Sequence, residues 1–397
     1  MSLKYPNYRL WFFGQLVSLI GTWTQATAQG YLIYQLTKSP AYLGYVSFAA
    51  GLPSWIFTLY AGAIADRVPR RKLMVITQCS MLVWASILAV LTFSHVVQWW
   101  HILILAFLMG ISNAFDAPAR QAFVLEMVTR EDLTNAIALN STMFTSAVVL
   151  GPAIGGLLYA WVGPGWCFTI NAISFLAVIM ALLLMKLKPV SVPRPRTNPW
   201  SDVREGMNYV ARTPAIRMLI TNLFVITLFG MGVATLIPAW AVEVLKGDAS
   251  TNGFLLASRG LGSLIGALAI ASLGRFRFRG RLWTASSLLM PIMMIWFAYM
   301  RWLPMSLLAM AGVGLTFMIV INLSNALVQT RIPDEMRGRV MGIFTLTFFG
   351  AMPIGSLITG WVAARIGEPV TVTISALILF AFTIFVYWRL PAMRAME

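Results

Sequence analysis

Apolar residues run almost unbroken for about twenty positions at a time, and polar residues gather in short clusters between the runs. A helix of about twenty apolar residues is long enough to cross a bilayer. The pattern predicts spans near residues 9–35, 41–65, 73–93, 100–117, 136–160, 166–186, 217–241, 252–274, 282–300, 303–330, 340–364 and 369–389. The expected fold is therefore an all-α membrane protein of twelve transmembrane helices. The longest break, 187–215, is rich in Pro and Arg (Pro189, Pro193, Pro195, Pro199). It separates an N-terminal six-helix bundle, 1–186, from a C-terminal one, 216–397. Inside the break, Trp200 to Arg212 reads as a short interfacial helix held against anionic lipid, with Trp200, Val203, Met207 and Val210 opposite Arg204, Glu205 and Arg212.

Composition agrees: 59% of residues are hydrophobic and 11% charged, where a soluble domain carries roughly 25% charge. The net charge of +16 would suggest nucleic acid in a soluble protein, but here the cations sit in loops beside spans, which excludes that partner. With both termini placed in the cytoplasm, most of the 29 Lys and Arg fall on the inner side. The outer side receives Lys38, Lys246, Arg301 and Arg365, and Arg259 alone stays within a span. This asymmetry follows the rule that cytoplasmic loops are basic. Cys79 and Cys167 lie in apolar runs and read as small core residues with no disulfide. No cleavable signal is evident after the basic stretch Met1 to Arg9.

The two halves echo one another. At one constant offset Gly44 meets Gly253, Gly51 meets Gly260, Arg70 meets Arg279 and Leu73 meets Leu282. Further on, Val128 to Glu131 faces Ile332 to Glu335, and Pro152 has its counterpart in Pro353. Two repeats of six spans in one orientation are a transporter architecture with a site near the bilayer midplane.

The loop Gly62-Ala63-Ile64-Ala65-Asp66-Arg67-Val68-Pro69-Arg70-Arg71-Lys72 resembles the signature between helices two and three of the major facilitator superfamily. Tyr34 to Pro40, Asn113 to Phe123 and Glu131 to Ser141 resemble its enterobactin-exporter-like, or transmembrane secretion effector, efflux branch. Gly151-Pro152-Ala153-Ile154-Gly155-Gly156 resembles the span-five motif of exporters that exchange substrate for protons, with Ala147 where glycine is usual. The resemblance implies a conformational latch at the cytoplasmic face, formed by Gly62, Asp66, Arg67, Arg70 and Arg71 with Asp116 and Arg120. Asp116 is expected to pair with Arg70 or Arg71, and Asp66 to lie against the start of span eleven, where a helix N-terminus favours an anion. A plain helix-end salt bridge is the alternative for Asp116, and an ordinary kinked helix for the span-five motif.

Gln15, Ser18, Thr22, Gln25 and Gln29 share one face of span one, which Trp11 extends. In hydrocarbon such a face must meet water, substrate or other helices. Asn322, Asn325 and Gln329 repeat the spacing in span ten, and Asn222 adds an amide from span seven. By resemblance, helices one, four, seven and ten line the central cavity. With Trp23 and Asn113, these residues would hold a bulky, partly polar organic substrate. Arg259 is the intramembrane charge, read either as an outer gate or anionic-substrate site, or as one half of a fixed bridge to Glu243. Asp116 and Glu243 are the proton-coupling candidates; Glu126 is read as lying in a cytoplasmic loop. His95 and His101 flank an interfacial turn, and no metal or cofactor is expected. An enzyme is disfavoured, because no acidic pair, nucleophile motif or metal spacing lies at depth. The expected protein is a monomeric, multi-pass transporter of the bacterial inner membrane that exports organic molecules by proton antiport. A lysophospholipid transporter or an importer of the same fold are the alternatives, and membrane lipids are the remaining partner.

Overall fold

The computed structural model describes residues 2–65, 68–185, 199–273 and 278–389. Asp66 and Arg67 lie outside the described residues, as do Lys186, Lys188, Arg194, Arg196, Arg275, Arg277 and Arg394. Among the described residues every regular element is a helix. The first half holds α1 (Pro6–Thr37), α2 (Pro40–Ala65), α3 (Arg70–Phe93), α4 (Trp99–Met127), α5 (Leu133–Val162) and α6 (Pro164–Leu184). The remainder holds α7 (Pro199–Arg212), α8 (Pro214–Gly230), α9 (Gly232–Ala239), α10 (Ala249–Leu273), α11 (Arg279–Tyr299), α12 (Leu303–Arg331), α13 (Asp334–Ile366) and α14 (Glu368–Arg389). Ten helical segments among the described residues are long and apolar enough to cross a membrane, α8 and α9 counting as one. Neither α1 nor α2 is among the ten; in α1 the row of polar side chains lowers the hydropathy of a helix 32 residues long.

Proline opens several of these helices, at Pro6, Pro164, Pro214 and Pro304. At a first-turn position its missing N–H costs nothing and its fixed φ favours the helix. Two sequence expectations change. Span four does not stop near 117 but continues through Pro118 to Met127, so Glu126 sits in the last turn of α4 and not in a loop. Span seven runs on past its expected end near 241 as one helical stretch, Pro214–Val244, with a single turn residue of helical dihedrals at Met231 (φ −74°, ψ −26°) and a closing π-helical turn, Trp240–Val244. Glycines on both sides of Met231 weaken the helix there.

By contacts the chain divides into two compact units. Unit 1 comprises Met1–Lys38, Ala49–Arg196 and Asp248–Ala257. In it α1 packs on α5 and α6, and α3 packs on α4 and α6. Tyr8, Trp11, Met74, Phe123, Met143 and Leu182 form its core. Its N-terminus is clasped: the Ser2 N–H donates to Asn135 Oδ1 at 2.7 Å, Tyr5 Oη to Asp132 Oδ2 at 2.9 Å, and Lys4 Nζ lies 2.7 Å from Asp132. The first residues of α10 join this unit, where Gly253 lies so close to α5 that an added Cβ would stand 2.8 Å from Gly156 Cα.

Unit 2 comprises Ser39–Phe48, Thr197–Gly247 and Ser258–Glu397. Here α11 packs on α12 and α14, and α8 packs on α13. Trp283 donates to Ser324 Oγ at 2.8 Å, and Trp240 stacks on Phe297 with centroids 4.4 Å apart. The first residues of α2 belong to this unit, where a Cβ on Gly360 would meet Pro40 O at 2.7 Å. The amphipathic α7 is fastened to protein, not only laid on lipid: Glu205 pairs with Arg339 at 3.2 Å, and Gly206 lies against Arg339 and Ile343 of α13.

Large apolar side chains point outward in both units, among them Trp161 and Trp388, 76% and 78% exposed. So much outward apolar surface would be unfavourable in water, and its solvent is the lipid chain region. The backbone also repeats between halves. Lys38 after α1 and Lys246 after the π turn are left-handed, at φ 51° and 52°, and Gly163 and Gly367 close α5 and α13 at φ 89° and 84°.

Candidate functional site

The polar stripe of α1 divides by depth. Gln15, Ser18 and Gln25 are buried inside unit 1, while Thr22 and Gln29 are partly exposed. Gln25 Oε1 accepts a hydrogen bond from Asn171 Nδ2 of α6 at 2.8 Å. Such an interhelical bond contributes about 0.6–2 kcal/mol in a membrane. Thr22 Oγ1 returns to the Ser18 carbonyl at 2.9 Å, and Trp23 meets Phe144 edge-on at 6.2 Å. Asn113 on α4 is partly buried. Gln25 therefore ties the stripe to α6, and Thr22 and Gln29 are its partly exposed members, with Trp23 partly exposed beside them.

In the glycine-rich stretch of α5, Thr24 Oγ1 donates to the Gly151 carbonyl at 3.1 Å. A Cβ on Gly155 would fall 2.8 Å from Thr24 O, and one on Gly156 would fall 2.6 Å from Ala249 O. Gly151, Gly155 and Gly156, with Pro152 inside the helix, thus let α5 touch α1 on one side and α10 on the other.

The expected pairing of Asp116 with Arg70 or Arg71 does not occur. Arg70 Nη1 instead binds Glu126 Oε1 at 2.7 Å, and Arg71 Nη2 donates to the Leu183 carbonyl at 3.0 Å. The reason is the longer α4: its last turn carries Glu126 to the cations that open α3. Asp116, 1% exposed, is held deeper, where Oδ1 accepts from Thr77 Oγ1 at 2.9 Å and from Gln78 Nε2 at 3.1 Å. Its Oδ2 faces Arg120 Nη1 at 3.9 Å and accepts no hydrogen bond. Gly62 has open space where a Cβ would stand, so close packing does not require glycine there. The expected contact of Asp66 with span eleven lies outside the described residues.

In unit 2, Asn222 is fully buried on α8, while Asn322 and Asn325 are partly exposed on α12. Gln329 Nε2 donates to Asn325 Oδ1 at 2.5 Å. The bridge between Arg259 and Glu243 is absent. Glu243 is 46% exposed and lies 3.9 Å from Lys246. Arg259 Nη2 instead meets the Met231 sulfur at 2.7 Å, and its Cζ stands 5.9 Å from the centre of the Phe317 ring. The irregularity at Met231, whose thioether meets Arg259, has its sequence signal in the Gly-Met-Gly triplet. Glu126 and the Thr24–Gly151 bond escaped the sequence reading, since neither has a motif of its own.

Relatives match nearly end to end. The chain is 26% identical to the multidrug efflux pump Tap of Mycolicibacterium fortuitum, covering 97% of this chain and 96% of that one. It is 23% identical to the staphyloferrin A transporter of Staphylococcus aureus, covering 96% and 95%, and 27% identical to macrolide efflux protein A of Streptococcus pyogenes, covering 92% of both. Solved transporters share the fold. The nucleoside transporter NupG superposes with a TM-score of 0.73 at 14% identity, covering 99% of both chains. A bacterial homologue of the human lysosomal transporter Spinster gives 0.74 at 13%, covering 98% of both. Residues 2–397 match the transmembrane secretion effector family; the chain belongs to it, and is a membrane transporter of the major facilitator type, not an enzyme.

Proposed function

We propose that the protein exports organic small molecules, drug-like compounds or siderophore-like metabolites, by alternating access and in exchange for protons. The reading includes twelve spans, both termini in the cytoplasm, a monomer in the bacterial inner membrane, and six-helix bundles at 1–186 and 216–397 joined by 187–215. Relatives named for drug efflux, macrolide efflux and staphyloferrin A transport support the substrate class, each aligned along at least 92% of this chain. Thr22, Trp23, Gln29, Asn113, Asn322 and Asn325 supply partly exposed polar and aromatic groups for such molecules.

The observation that carries proton exchange is the divided environment of Asp116. Thr77 and Gln78 fix one carboxylate oxygen, while the other faces Arg120 without a hydrogen bond. A proton on Oδ2 would cancel the charge that faces Arg120, so proton and guanidinium compete for one oxygen. Releasing Arg120 at the cytoplasmic end of α4 is the step that would couple proton entry to a change of shape. Proteoliposomes with an imposed pH gradient, screened with siderophores, dyes and lysolipids, test this. Efflux of a dye or siderophore should rise with the gradient. Indifference to the gradient for every compound would remove the antiport; movement of lysolipids alone would make it a lipid transporter, and uptake would reverse its direction.

A further inference from the structure

Arg259 is placed at depth by its helix. A rise of 1.5 Å per residue puts it about 15 Å from the start of α10 at Ala249, near the middle of a helix of 25 residues. Its guanidinium carries five donors and needs anionic or strongly polar partners. What the protein offers is a thioether, a weak acceptor, at 2.7 Å and an aromatic face at 5.9 Å. Three acids of the same unit are engaged elsewhere: Glu205 with Arg339, Asp334 with Arg337, Glu243 with Lys246. No acid stands within ion-pair distance of Arg259 among the described residues. Arg259 is partly exposed, and a charge at that depth without compensation is unfavourable in a membrane.

The site is also rigid. Ser258 Oγ donates to the Leu307 carbonyl at 2.7 Å and Ser263 Oγ to the Gly314 carbonyl at 3.1 Å, one on each side of Arg259. Gly314 on α12 lies so close that an added Cβ would clash with the Arg259 carbonyl. Across from it Met231 is a one-residue irregularity in the helical stretch Pro214–Val244 and presents its thioether to Arg259. A fixed guanidinium fork matches a planar carboxylate through two parallel hydrogen bonds. The neighbouring sulfur and ring suit an apolar scaffold that carries that group.

We infer that Arg259 receives the carboxylate, or an equivalent oxyanion, of an amphiphilic organic substrate. This rests on the export reading only for the transport arm of its test. Binding of rhodamine B and of its methyl ester, which differ by one charge, is measured by fluorescence anisotropy on the full-length protein in nanodiscs. The same dyes are then followed in proteoliposomes. The wild type should bind the acid about tenfold more tightly than the ester. Arg259→Gln should bring that ratio to about one, and Arg259→Lys, which keeps the charge without the fork, should leave it between the two. Nanodiscs enriched in phosphatidylglycerol identify the source of the oxyanion. Competition that disappears in Arg259→Gln assigns it to a lipid headgroup, and its absence assigns it to the solute. Equal or no binding of the two dyes to wild type, or a preference kept by a folded Arg259→Gln, overturns the inference. Binding with the predicted preference but without transport would instead overturn the export reading and leave the anion site standing.

Discussion

Asp116 in unit 1 and Arg259 in unit 2 both lie within helices dominated by apolar side chains, yet their surroundings differ. Asp116 is met by Thr77 and Gln78 with Arg120 nearby, whereas among the described residues Arg259 meets a thioether and a ring. A charge supplied with partners can be held in place, neutralised or released by a proton. A charge with almost no partner among the described residues is open to a ligand, as proposed above for Arg259. On the proposals above, the difference would separate a coupling group from a recognition group.

The largest effect that could break this comparison is Asp116→Asn. The amide oxygen can still accept from Thr77 and Gln78, so the helices stay joined, but the charge facing Arg120 is gone. Gradient-driven efflux should fall by roughly tenfold or more, with gradient-independent substrate exchange surviving, because one charge-assisted interaction is lost. Unaltered gradient dependence in a flux assay would reduce Asp116 to a structural tie.

Next come the glycine crossings, where the two units are alike. Gly156→Ala and Gly360→Ala each push a methyl to within 2.6–2.7 Å of a carbonyl oxygen, that of Ala249 or of Pro40. Each should cost about 1–3 kcal/mol, read as a lower melting temperature. A cost at one site and none at the other would show that the halves do not share this device.

Smaller effects sharpen the contrast itself. Thr77→Val removes a donor from a buried carboxylate and should destabilise by about 1–2 kcal/mol. Met231→Leu keeps the volume beside Arg259 and should cost less than about 1 kcal/mol in chemical denaturation. Were Met231→Leu the costlier of the two, the thioether would be a true partner of Arg259. The smallest effect belongs to the surface clasp. Lys4, then Tyr5, hold the Asp132 carboxyl at about 2, below its ordinary 3.8. A depressed acid stabilises the fold above its unfolded value, and the contribution fades as pH falls toward the folded one. The melting-temperature gap between wild type and Asp132→Asn should therefore be constant from pH 7 to about 5 and shrink toward pH 3. A gap that widens on acidification would contradict the clasp.

Most spans were legible because membrane helices announce themselves by length and apolarity. What remained hidden lay where helices depart from that rule. The end of α4 was concealed because Arg120 and Glu126, beyond the apolar run, look like loop residues until Arg70 is seen to meet Glu126. Span seven was legible as one stretch, and its irregularity at Met231 stayed hidden because Gly230, Met231 and Gly232 leave the apolar run unbroken. The stripe on α1 was legible as a face, but periodicity cannot say which members turn toward α6; only the partner Asn171 decides that for Gln25. The motif at Gly151 to Gly156 was recognisable as small residues, while its second neighbour, the first turn of α10, is distant in sequence.

The left-handed turns carry one further consequence. Lys38 and Lys246 share a backbone angle within a degree, and Gly163 and Gly367 within five, although the helices around them keep few identical residues. A lysine is an uncommon choice for that conformation, so its recurrence at matching corners marks the same local geometry in both halves. The five-residue corners around Lys38 and Lys246 are then interchangeable parts, and exchanging them should yield a protein that folds and inserts as before.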